Sequence, residues 1–76
     1  MELEGVVERK HVARGSKAEH DAIGLRVGKR FYWLRTRDGH PYQDPTFVPL
    51  IGRRLRGEGS VAGPWFIVDR WQVLDP

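Results

Sequence analysis

Residues 31–37 read FYWLRTR. Side chains alternate along an extended chain, so Phe31, Trp33, Arg35 and Arg37 share one face of this segment. Two rings followed by two guanidinium groups have the chemistry of a surface for single-stranded nucleic acid. Bases of any identity stack on rings, and guanidinium groups neutralise phosphates. Ile23, Leu25 and Val27 mark the apolar face of the preceding segment, which leaves Arg26 on the outer side with that set. This reading puts Tyr32 and Leu34 inward. A competing assignment puts Phe31 and Trp33 in the core and leaves Tyr32 partly exposed, because a small domain needs large apolar groups. Exposed rings would also suit a protein partner or a homodimer. A tryptophan-lined carbohydrate or small-ligand site is a third possibility.

Other reactive side chains do not assemble into a known chemistry. Ser16, His20 and Asp21 supply the residue types of a hydrolytic triad, but nearness in sequence does not create triad geometry. His11, His20 and His40 match no common zinc spacing, and the chain has no cysteine. The stretch GSK at 15–17 lacks the rest of a phosphate-binding loop. The expectation is a non-catalytic protein with no cofactor and no metal.

The charge is concentrated. Arg26, Lys29, Arg30, Arg35, Arg37, Arg53, Arg54 and Arg56 face only Asp38 and Asp44 between positions 26 and 56, a net +6 in a chain of +3. Such a segment attracts polyanions, although it also serves solubility. With 76 residues the chain is read as one domain spanning 1–76. The acidic start, MELEGVVERK, is not that of a secretory signal. The longest apolar run, WFIV, is far short of the roughly 20 residues that span a bilayer. Together with the lack of cysteine, these features lead to the expectation of a cytoplasmic protein with no membrane association.

The elements that must position these residues are five strands and one helical turn. The first strand runs from about Glu2 to Val12, and Gly5 lets it bend. In the loop that follows, Ser16 and Glu19 have capping-box spacing, and Lys17 lies between them. The strand DAIGLRVG turns through Gly28-Lys29 into RFYWLRTR. Asp44 and Pro45 then begin a helical turn, which Pro49 keeps from being a regular helix and Gly52 ends. RRLRGEGSV, a turn at AGP, and WFIVDRWQVL complete the chain. Arg54 and Arg56 share a face of the fourth strand, where they either extend the basic surface or protect an edge. Trp71 is expected to be mainly structural, and Trp65 to be the better contact residue.

This order of elements resembles the OB-fold (oligonucleotide/oligosaccharide-binding) superfamily. Residues 50–74, LIGRRLRGEGSVAGPWFIVDRWQVL, carry most of the resemblance: a short helix, a Gly-rich bend and a last strand. The chain looks most like short, free-standing bacterial OB proteins of unassigned role. An SH3-like barrel is the rival architecture, and the helical turn after the third strand favours the OB-fold. The resemblance implies an all-β, five-stranded barrel whose ligand face is on strands 2 and 3, flanked by the 1–2 and 4–5 loops. Lys17, Arg26, Phe31, Trp33, Arg35, Arg37, Arg54, Arg56 and Trp65 are then the candidate nucleic-acid-binding residues. The alternative is a protein-interaction or assembly module that uses the same surface.

Overall fold

The computed structural model describes residues 1–12, 20–38 and 45–74. Five strands form: β1 (Glu2–Val12), β2 (His20–Val27), β3 (Arg30–Thr36), β4 (Arg54–Ala62) and β5 (Trp65–Val73). One short 3-10 helix, Pro45–Leu50, lies between β3 and β4. The strands make a single sheet that closes on itself in the order β1-β2-β3-β5-β4. All neighbours are antiparallel except β3 and β5, which run parallel from Trp33↔Trp65 to Thr36↔Val68. The protein is therefore all-β, as its alternating segments predict.

Closure depends on β1 serving two partners. Its first half pairs with β4 and its second half with β2, and Val6 stands opposite both Arg54 and Arg26. A strand can do this only if it bends. Gly5, one residue before the shared position, lets the backbone of β2 come close. A β-carbon there would collide with the carbonyl oxygen of Arg26.

Inward residues follow the alternation. Val7, Ile23, Leu25, Leu34, Leu55, Phe66 and Val68 are buried together, and Phe47 joins them from the 3-10 helix. Leu3, Val27, Tyr32, Val61 and Val73 pack against this cluster from their strands. Leu34 is fully buried, so the competing assignment of β3 does not hold: Phe31 and Trp33 lie on the other face and stay half-buried. The 3-10 helix contains Pro49, which removes one backbone donor and fits a short turn better than a long helix. Behind it, Gly52 donates its N–H to the Val7 carbonyl at 2.7 Å and Val7 donates to the Arg53 carbonyl at 3.0 Å. These bonds tie the segment to β1.

Two tight turns carry much of the remaining geometry. Gly28 and Gly63 both have φ of 59° and begin two-residue connections. Pro64 follows Gly63 and must take a negative φ, so the β4–β5 turn is type II′, which suits the twist of a hairpin. In β5, Val68 opposes Gly59 while Arg70 opposes Glu58. Asp69 is thus an extra residue, a bulge that reverses the phase of the strand. Phe66 and Val68 point inward before it; Val73 packs on the core after it, and the Trp71 ring lies 5.2 Å from that of Phe47. Trp71 remains 37% exposed, so its structural role is partial.

Gly5→Ala should destabilise the protein by about 1–3 kcal/mol, because either β1 or β2 must shift to admit the methyl group. A thermal melt should show a fall of roughly 4–8 °C per kcal/mol. An unchanged melting temperature would show that closure does not need this approach.

Candidate nucleic-acid interface

The outer face of β2, β3 and β5 is built by register. Arg26 stands opposite Phe31, Gly24 opposite Trp33, Trp33 opposite Trp65, and Arg35 opposite Ile67. All six non-glycine side chains in these pairs have the outward parity. The two tryptophans are neighbours across the parallel β3–β5 pair. The N–H of Trp33 also donates to the Pro64 carbonyl at 2.8 Å, which anchors the 4–5 turn to β3.

Phe31 leans diagonally across to Gly24, the reach expected of an aromatic residue in an antiparallel pair. A side chain on Gly24 would collide with the Phe31 ring. The rings of Phe31 and Trp33 meet edge to face, with centroids 4.9 Å apart and planes at 87°. This is a favourable arrangement of two ring quadrupoles.

Cations sit among the rings. Lys10 Nζ is 4.0 Å from the Phe31 centroid, and Arg26 Cζ is 5.3 Å from it. Arg35 Cζ is 5.7 Å from the Trp65 centroid. Lys10 belongs to β1, so it spans β2 to reach Phe31. The outward residues of β2 there are Ala22 and Gly24, which are small enough to leave room. Acids also approach the face. Glu8 accepts from Arg26 Nε and Nη2 at 3.3 Å, with both side chains 36% exposed. Asp69 holds Arg37 through three hydrogen bonds of 2.9–3.1 Å.

Protein-family models, curated proteins and solved structures were compared with the chain. None matches.

Among the predicted residues, Arg26, Phe31, Trp33, Arg35 and Trp65 come together on this face. Arg37 lies beyond Arg35 and is engaged by the bulge carboxylate. Arg54 and Arg56 are on β4, on the far side of β1 from β2. Arg56 is paired there with Glu4 at 3.2 Å and Glu2 at 3.8 Å. Lys17 and the rest of the 1–2 loop lie outside the described residues. Lys10 and Glu8 were not among the sequence candidates. The alternation of β1 holds their signal, since Leu3 and Val7 pack on the core and Glu8 and Lys10 have the opposite parity.

The outward placement of β3's odd residues has a measurable consequence. Leu34→Ala should cost about 2–5 kcal/mol by urea unfolding, as a buried Leu does. Arg37→Ala should cost less than about 1 kcal/mol, because its ion pair is exposed. Equal losses would contradict the assigned faces.

Proposed function

We propose that this protein is a non-catalytic module that binds single-stranded nucleic acid on the outer face of β2, β3 and β5. One observation carries the reading: Phe31 meets Trp33, Trp65 stands opposite Trp33 on β5, and Lys10, Arg26 and Arg35 are set among these rings. Rings offer sequence-tolerant stacking, and the cations offer phosphate neutralisation. The strand order, the shared first strand and the helical turn after β3 support an OB-like architecture. In that architecture, the face of strands 2 and 3 and the flanking loops hold oligonucleotides. Lys17 lies outside the described residues, and Arg56 does not belong to the proposed face, because β4 is on the far side of β1 from β2. Arg54 stands across Val6 from Arg26 and would serve only a longer ligand.

Duplex recognition fits less well. The face presents rings to bases, which a paired stack would not expose. The same rings could receive a protein partner or a second copy, and the experiment separates these.

Fluorescence anisotropy with labelled oligo-dT and oligo-rU at rising salt tests the reading. Binding should weaken linearly in log–log form, by about 0.7 per neutralised phosphate. Trp33→Ala should lose about 1–3 kcal/mol of affinity. Arg35→Ala should flatten the salt dependence by about one contact. No binding at low salt, alongside nuclease-insensitive capture of a protein or self-association through this face, would refute the proposal.

A further inference from the structure

The three rings on this face are not equivalent. Phe31 has Lys10 Nζ at 4.0 Å from its centroid and Arg26 near it at 5.3 Å. It meets Trp33 edge to face, and its tip lies over Gly24. A stacked base needs an open ring face about 3.5 Å away, the ordinary carbon contact distance. At 4.0 Å the ammonium of Lys10 already occupies that space. Removing it would give up a cation–π contact and place the base where a phosphate's counter-charge now sits.

We propose, on the basis of the nucleic-acid reading above, that Phe31 is a positioning residue rather than a stacking residue. It holds the Lys10 ammonium and the Arg26 guanidinium as a pair that receives the ligand's phosphates, and it fixes the plane of the Trp33 ring. Three features converge on this role. Lys10 comes from β1 and reaches Phe31 only because Ala22 and Gly24 leave the surface of β2 low. Glu8 engages Arg26 from the side and restrains the guanidinium next to the ring. The edge-to-face contact sets the Trp33 ring nearly perpendicular to Phe31, so the two rings form a corner with both cations close to the Phe31 ring. Bases are then taken by the tryptophans, while the sugar-phosphate chain passes over Phe31 on the β1–β2 side.

The effect separates cleanly in the salt dependence of binding. Anisotropy is measured with a labelled oligo-dT of about 16 nucleotides, the upper end of the usual site size. Phe31→Leu keeps the apolar bulk but removes the ring. It should reduce the slope of log affinity against log salt by about 0.7–1.4, one or two phosphate contacts, and change binding extrapolated to 1 M salt by less than about twofold. Phe31→Tyr should restore the slope. Lys10→Met, which leaves every ring in place, should reproduce a loss of about 0.7. The Lys10 side-chain protons next to its ammonium should also show an upfield ring-current shift in the free protein, and Phe31→Leu should abolish it. The inference is overturned if Phe31→Leu leaves the slope intact and weakens binding equally at all salt concentrations, as a stacking residue would. It is also overturned if Lys10→Met has no effect on the slope. A wild-type protein that binds no oligonucleotide, yet shows the Lys10 shift, would refute the nucleic-acid reading and with it the phosphate role, while leaving the cation–ring contact standing.

Discussion

The fold turns on the double pairing of β1. Backbone donors and acceptors must be satisfied, and a small sheet with open edges would leave two rows of them unpaired. Here β1 resolves both edges by giving one half to β2 and the other to β4, with Val6 common to both. The bend at Gly5 makes that possible. Once the ring is closed, inside and outside are fixed for every strand, and a one-residue slip would exchange them. Leu34 must then be buried, and Phe31 and Trp33 must face outward. The candidate surface is therefore a consequence of closure as well as of its own residues.

Closure also rearranges the charges. In sequence, the segment from Arg26 to Arg56 is strongly basic, with its acids few and its neighbours acidic. Folding brings those outer acids back against it. Glu8 meets Arg26, Asp69 meets Arg37, and Glu4 meets Arg56. These are exposed or half-exposed pairs and add little to stability. Their consequence is directional: they moderate Arg26, Arg37 and Arg56 and leave the rings of β3 and β5 with Lys10 and Arg35 close by. The positive character that matters is local to the aromatic row and does not extend evenly over the basic segment.

Much of this was legible in the sequence, for a definite reason. Alternation at Ile23, Leu25 and Val27, and at Leu55, Gly57, Gly59 and Val61, has the period of a strand with one buried face. The glycine turns at Gly28 and Gly63 mark where the chain reverses. Pro45 and Pro49 announce a short turn rather than a helix, while the expected cap at Asp44 lies outside the described residues. The cross-strand facts were not legible. Nothing near Lys10 in the chain predicts Phe31 beneath its ammonium, because that contact needs the register of β1 on β2 and of β2 on β3. The placement of Arg56 against Glu2 and Glu4 likewise comes from the β1–β4 register. The bulge at Asp69 did leave a trace: the apolar phase of WFIVDRWQV changes between Val68 and Trp71. The capping-box spacing of Ser16 and Glu19, and the position of Lys17, fall outside the described residues.

Three tryptophans provide the most direct test, because two are on the proposed face and one is elsewhere. In a nitrogen-15 NMR titration with oligo-dT, the indole N–H signals of Trp33 and Trp65 should move together and saturate at the same ligand concentration. The Trp71 signal, beside Phe47 and beyond the β5 bulge, should stay in place. Movement of Trp71 with Trp33 and Trp65 unchanged, or no movement of any indole at low salt, would contradict the account.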